Sequence, residues 1–401
     1  MAGIAASIVW APAAQAAATC AFDPAAGVLT VSVAGGSTRL DAVNGSGEIL
    51  VNGSACDGAT VDNTDTIQVN GGSLRDEVVL RGRFVPGLTP EADGASEIEI
   101  SFALGDNLDT AVLYFTKGND HVLFTSGGID VGRDLDEDIG LSGLERIEVR
   151  TLEGDDVIDA SAFAWDAGTS LGTLDLYGGP GNDRITGSSG KNLLNGQDGD
   201  DVLYGGPGPD SIYGGQGNDR MYGGDGADRL YAERTADGAD FLSGGNGIDT
   251  VLYDRRTTGV TVTLDNHMAD DGEAGEGDEI AGNVEDAVGG AGDDIMVAGY
   301  GPNDLRGGAG DDEIYGGPGD DFRVGDDGAD SIFGEDGDDG VNGDYGDDIL
   351  VGGAGSDNFD GNRGNDTIYN ADGFADNVNC GTGKLDDAEP DPLDTFQNCE
   401  L

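Results

Sequence analysis

The sequence predicts an all-β chain. Its main body is a right-handed parallel β-helix (β-roll) of stacked nonapeptide repeats, preceded by a β-rich region and followed by a disulfide-closed C-terminal cap. Three observations predict this. The segments "GGPGPDSIY", "GGQGNDRMY" and "GGDGADRLY" follow one another without a gap over residues 205–231. Each carries one aliphatic residue two places after its Asp, a spacing that a disordered Gly/Asp tract has no reason to keep. Elsewhere the apolar runs are short, alternate, and are bounded by Gly, Asn and Asp, as strands are.

Composition narrows the function. The chain has 401 residues, 74 of them glycine, with 79 acidic against 19 basic side chains and a net charge of −60. That excess of acid disfavours nucleic acid and anionic membranes as partners and favours cations. No stretch is apolar for long enough to span a bilayer.

From the N-terminus, "MAGIAASIVWAPAAQAAATC" reads as the apolar part of a secretory signal, with "AQA" at Ala14–Ala16 as its small-residue cleavage site. Residues 1–16 are thus assigned to a signal peptide, and the product is expected to be secreted and extracellular. No Lys or Arg precedes Arg39, so the positive end of such a signal would lie upstream of Met1. Residues 17–115 form a β-rich region with runs such as "GVLTVSV" and "DEVVLRGRF", and residues 116–177 read as degenerate rungs. Single-copy fragments place Asp76, Asp120 and Asp156 in turn positions. The four cysteines, Cys20, Cys56, Cys380 and Cys399, are even in number beside an export signal, which points to disulfides. Of three connectivities, local pairing is expected, each bridge closing a loop near one chain end for about 3 kcal/mol.

Over residues 178–252 the nonapeptides place Asp183, Asp201, Asp210, Asp219 and Asp228 in one register, with Asn192 in the second slot. The insertion "AERTADGADFLS" moves the next copy to Asp240, and Asp249 follows. Residues 253–288 interrupt the array with "GVTVTL", an acidic loop and "NVEDAV". That loop, 265–279, and another at 134–138 read as solvated charged surface, with extra calcium sites as the alternative. A longer resemblance between 135–158 and 275–296 aligns Glu145 with Glu285. A second array, 289–369, carries Asp294, Asn303, Asp312, Asp321, Asp330, Asp339, Asp348, Asp357 and Asp366. Residues 370–401 are the cap.

Two nonapeptides make one 18-residue rung. Rungs stack at strand spacing, about 4.7–4.9 Å, so the aliphatics line up inside and Tyr204 with Tyr222, and Tyr213 with Tyr231, should form ladders. One aliphatic per nine residues contributes about 1.5–3 kcal/mol, less than the ordering of nine residues at about 1–2 kcal/mol each. Stacked carboxylates about 5 Å apart also repel by about 3 kcal/mol at an effective dielectric near 20. An ion is therefore expected within the fold. The arrays contain neither His nor Cys, and glycine-rich turns offer carbonyl oxygens beside the Asp, a donor set that suits calcium.

These residues, "GGQGNDRMYGGDGADRLY" and "GGAGDDEIYGGPGDD", resemble the hemolysin-type calcium-binding repeat, the repeats-in-toxin nonapeptide. The resemblance implies several calcium ions between turns of successive rungs, held by turn carbonyls and the sixth-position Asp. It pairs Asp201 with Asp219, Asp210 with Asp228, Asp312 with Asp330, Asp321 with Asp339, Asp330 with Asp348, and Asp348 with Asp366. Asn192 and Asn303 depart from it and should give weak or missing sites. Arg323 stands in an aliphatic slot, which either opens the core or shifts the register to Phe322 or Val324.

No catalytic constellation is apparent: His121 and His267 are isolated and Trp165 reads as packing. The sequence favours a non-enzymatic, secreted calcium-binding protein with a structural or surface-interaction role, a cell-surface or extracellular glycan being the open partner. The alternative is a calcium-stabilised β-helical enzyme acting on extracellular polysaccharide. Such an enzyme would need a basic groove, and the arginines cluster only at Arg255–Arg256.

Overall fold

The computed structural model describes residues 18–23, 28–32, 36–42, 48–52, 54–60, 66–70, 76–81, 99–103, 110–114, 121–124, 128–131, 139–140, 145–163, 172–264, 268, 270–383, 386–388 and 392–399. The stretch assigned to a signal, Asp120, the 134–138 loop, Trp165 and His267 lie outside these residues. The described residues are all β or irregular, without a helix. They divide into two compact units, Met1–Tyr177 and Gly178–Leu401.

In the first unit, strands Gly36–Ala42, Asp76–Arg81, Thr110–Tyr114, Arg146–Arg150 and the start of Thr173–Pro180 pair in parallel. A second parallel set joins Val28–Ser32, Thr66–Asn70, Glu99–Ala103 and Ile139–Gly140. Antiparallel strands Thr19–Asp23, Glu48–Val51 and Ser54–Thr60 flank these near the N-terminal side. Asp76 opens a strand, and the Asp156 side chain is buried. Cys20 is bridged to Cys56 with Cα atoms 5.7 Å apart.

The second unit is a parallel β-solenoid, and the described residues carry about twelve solenoid turns. Leu203 lies opposite Met221, and Ile212 opposite Leu230, so each aliphatic repeats at the same point of the next rung. All four are fully buried. Tyr204 stacks on Tyr222 with ring centroids 4.8 Å apart, and Tyr213 on Tyr231 at 4.2 Å, the two ladders that the period implies. Tyr315 and Phe333 add a third stack at 4.9 Å. Such pairs add about 0.5–1.5 kcal/mol each beyond area burial, useful in a core this narrow.

One face of the solenoid runs without a break from Asn192–Asp198 to Thr395–Gln397. The opposite face does not. Its first ladder, from Arg184–Thr186 onward, ends at Glu279–Ile280. A new ladder begins at Val260–Thr263, with Gly272–Glu273 antiparallel on its edge, and continues to Asp387–Ala388. Residues 253–288 make this handover. The buried carboxylate of Asp271 joins the two ladders, accepting the Thr263 N–H at 2.6 Å on one oxygen and the Ile280 N–H at 3.1 Å on the other. Cys380 and Cys399, bridged with Cα atoms 5.0 Å apart, tie the last rungs together.

Candidate metal centre

In most of the nonapeptides the chain turns through glycines and delivers the Asp side chain inward, under its own turn; Gln197, Asp326, Glu335 and Asp344 take the positive-φ position in other copies. The second glycine of the turn lies at positive φ, as Gly206 (+103°) and Gly215 (+116°) do, a conformation an L side chain rarely adopts. The first glycine is required by space. A Cβ added at Gly205 would sit 2.5 Å from Asp210 Oδ2 and 2.5 Å from the carbonyl oxygen of Gly223 in the next rung. The turn thus keeps a small volume clear between a carboxylate and a carbonyl.

The carboxylates form ladders. The backbone N–H of Asp183 donates to Asp201 Oδ1 at 2.6 Å, that of Asp201 to Asp219 at 2.8 Å, and that of Asp210 to Asp228 at 2.8 Å, each 18 residues on. Where the insertion lengthens the rung to 21 residues, Asp219 still donates to Asp240 and Asp228 to Asp249, both at 2.8 Å. In the second array the same bond joins Asp294 to Asp312 (2.7 Å), Asp312 to Asp330 (2.8 Å), Asp321 to Asp339, Asp330 to Asp348 and Asp339 to Asp357 (each 2.9 Å), and Asp348 to Asp366 (3.1 Å). The structure therefore brings together each Asp pair that the period implies.

Only one oxygen of each carboxylate is used this way. Oδ2 of Asp201, Asp210, Asp219, Asp228, Asp249, Asp312, Asp330, Asp339, Asp348, Asp357 and Asp366 is buried and accepts no hydrogen bond. A buried, unpaired carboxylate oxygen is costly, and its recurrence at one turn position is a property of the repeat. Burial pushes Asp201, Asp210 and Asp219 up to about 7, against the donated hydrogen bonds, which favour the anion. Asp312 is pushed up to about 8 by burial, with the carboxylates of Asp294 and Asp330 adding to it. Asp294 and Asp321 differ, since their second oxygens accept the Gly290 N–H at 2.6 Å and the Arg323 guanidinium at 2.6 Å.

Asn192 shows what the cleared volume accepts. Its side-chain amide nitrogen donates to the carbonyls of Ser188 (3.1 Å), Gly190 (2.7 Å) and Gly205 (3.4 Å) and to Asp210 Oδ1 (2.8 Å). These are acceptors only: two carbonyls of its own turn, one carbonyl of the next turn and one carboxylate oxygen. A hard cation fits that donor set. Among the described residues no three acidic, His or Cys side chains gather as a metal cluster, so any ion here would depend on backbone carbonyls.

Sequence reasoning missed several members of the ladder. The Asp240 N–H donates to Asp278 Oδ1 at 2.9 Å, and that of Asp249 to Glu285 Oε2 at 3.0 Å, so residues 253–288 continue the ladder that they were expected to interrupt. Beyond the second array, Asp376 accepts the Asp357 N–H at 2.8 Å and Asp386 the Asp366 N–H at 3.3 Å. The described part of the 265–279 loop is only partly a solvated face: Met268, Asp270, Ala274 and Gly275 are exposed. Asp271 and Asp278 are buried, and Glu276 Oε1 accepts from the buried Arg256 at 2.6 Å. Glu285 carried the one hint, its alignment with Glu145.

Arg323 keeps the register. It pairs between Leu305 and Val341, while Phe322 is exposed and Val324 is buried beside it. Its side chain enters the core, fully buried. Arg256, also fully buried, is ion-paired with Asp237 (3.5 Å), Glu273 (3.2 Å) and Glu276. Arg255 lies over the rings of Tyr213 and Tyr231, 5.2 and 5.7 Å from their centroids.

A family model, the RTX calcium-binding nonapeptide repeat (4 copies), matches residues 177–212, 196–230, 204–237, 213–251, 288–322, 324–344 and 342–374. The chain therefore carries RTX calcium-binding repeats in several copies, set in a parallel β-solenoid. Comparison with curated proteins gives no match.

Proposed function

We propose that this is an exported structural or surface-interaction protein whose solenoid closes around calcium ions held between successive rungs. The observation that carries the reading is the row of buried Oδ2 atoms without a partner, several of which share the space beside a turn glycine with a carbonyl of the next rung. The residues that would hold the ions are Asp183, Asp201, Asp210, Asp219, Asp228, Asp240, Asp249, Asp294, Asp312, Asp330, Asp339, Asp348, Asp357 and Asp366, with Asp278 and Glu285 joining them; Asp321, expected among them, gives its second oxygen to Arg323. Bound there, calcium would supply the charge that lets these carboxylates stay ionised in a dry interior. The chain's own residues clear the volume, orient one oxygen by a backbone hydrogen bond, and leave the other to the ion.

Export is supported by the apolar N-terminal stretch and by two disulfides, which persist in oxidising compartments. Among the described residues no helix is long and apolar enough to cross a membrane. An uronate-binding groove gets little support, because Arg255 and Arg256 are occupied by internal contacts. An extracellular glycan bound through the outer face, with no chemistry done on it, remains the partner class to test by glycan binding with and without calcium.

Circular dichroism of the purified chain tests the central reading. Dialysis into chelator should remove most of the β signal, and added calcium should restore it, with site affinities on the order of 10⁻⁴–10⁻³ M as in extracellular modules. An unchanged spectrum in chelator rejects it.

A further inference from the structure

We infer that the step between Asp321 and Asp339 takes no calcium, because the guanidinium of Arg323 stands where the ion would. This rests on the reading that calcium lies between rungs elsewhere in the arrays. Arg323 starts from the slot that holds Leu305 in the rung before and Val341 in the rung after, and its side chain is wholly buried. From there its Nη2 donates to Asp321 Oδ2 at 2.6 Å and to the Gly334 carbonyl at 3.0 Å. Nη1 lies 3.3 Å from Asp339 Oδ1.

Those acceptors are the ones other steps present around the cleared volume: the upper Asp Oδ2, the first carbonyl of the lower turn, and the lower Asp Oδ1. At the Asn192–Asp210 step the Asn amide meets the equivalent pair, Gly205 O and Asp210 Oδ1. The space at the turn glycines agrees with this. A Cβ added at Gly316 would fall on the guanidinium, whereas at the corresponding Gly205 it would fall between a carboxylate and a carbonyl. Arginine does not deprotonate in proteins, so a divalent ion entering here would meet a fixed positive charge with its three acceptors already bonded.

The placement is not isolated. On the same edge the preceding steps run from Asp249 to Glu285, where Asn303 Nδ2 donates to the Glu285 carbonyl at 2.6 Å, and on to Asp321. Protein groups thus replace the Asp–Asp succession on that edge from Asn303 to Asp339, while the Asp249–Glu285 step keeps an unpartnered Asp249 Oδ2. At the same level the other edge keeps Asp294, Asp312, Asp330 and Asp348 in succession. The inferred device is a metal-independent clasp on one edge, opposite a metal-dependent one.

The test compares bound calcium in the full chain and in Arg323→Leu, which restores an aliphatic to the slot and frees all three acceptors. Equilibrium dialysis with calcium alone should find one more ion per chain in the variant. An equal count, in a variant folded by circular dichroism, overturns the inference while leaving the wider reading intact. No calcium bound to the wild-type arrays overturns both. Hydrogen exchange on the wild-type chain needs no variant. At calcium just below the folding midpoint, where part of the β signal remains, the Asp321 amide, which donates to Asp339, should exchange at least tenfold more slowly than the Asp330 amide, which donates to Asp348; equal rates overturn the inference.

Discussion

The backbone N–H of Asp312 donates to Oδ1 of Asp330 at 2.8 Å, while Oδ2 of Asp330 is buried without a partner. One side chain therefore serves two ends that can be separated. Asp330→Ala removes both and strands the Asp312 N–H, at about 1–3 kcal/mol before any metal is considered. Asp330→Asn keeps the acceptor and replaces Oδ2 with a donor, as Asn192 does naturally. The Asn variant should bind less calcium yet hold more β structure in chelator than wild type. The Ala variant should lose both. Asp183→Ala, at the start of the ladder, should raise the calcium midpoint for folding less than Asp330→Ala. Calcium titrations followed by circular dichroism distinguish the three.

The ladder also fixes how the calcium-free chain responds to acid. Burial raises Asp201, Asp219, Asp348, Asp357 and Asp366 to about 7 when folded, against about 3.9 for an unfolded chain. Between those values the folded form holds protons that the unfolded form has released. Stability is therefore highest below about pH 4 and falls as pH rises towards about 7. Protein freed of calcium by dialysis should melt higher at pH 5 than at pH 7.5. With saturating calcium the order should reverse, since ions replace the protons. Melts at the two pH values, with and without calcium, check this.

Glycine positions that look alike in sequence should differ in tolerance. Gly215 and Gly301 both have positive φ, +116° and +86°, so Ala costs about 1–2 kcal/mol at either for conformation alone. Around Gly301 an added Cβ meets nothing within 4 Å, whereas at Gly215 it runs into the backbone carbonyl of Gln197. Gly301→Ala should leave a folded protein with a slightly lower melting temperature. Gly215→Ala should fail to reach the wild-type β signal at any calcium concentration.

The C-terminal bridge should act locally. Replacing Cys380 and Cys399 together by Ser should remove about 3 kcal/mol of loop constraint. Protection should fall in strands Asn377–Asn379 and Thr395–Gln397, with Ser211–Gln216 unaffected. Hydrogen exchange resolved by peptide reads this, and a uniform loss along the chain would count against a capping role.

What the sequence made legible is what repeats at a fixed interval. Leu203 over Met221, Tyr213 over Tyr231 and Asp312 over Asp330 follow from a period of nine folded into rungs of 18. Asp278 and Glu285 do not, because a loop of irregular length places them in register, and only tertiary pairing shows where such a loop returns. Arg323 was legible as an exception and ambiguous as a structure. An arginine in an apolar slot can leave the core or enter it, and the outcome depends on whether carboxylates wait inside. Asp321 and Asp339 do, and the register holds.

The handover on the interrupted face carries a mechanical consequence. Elsewhere in the solenoid, tension along the rod is shared by backbone ladders on both faces. Where one ladder stops at Ile280 and the next starts at Val260, the broken side is bridged by the two oxygens of Asp271 and by a short backbone pairing of Asp271 with Asp278. Load there shifts to the intact face, so the rod would bend and part at this seam before it unravels from either end. Protonating or replacing that single carboxylate would lower the force at which it does so.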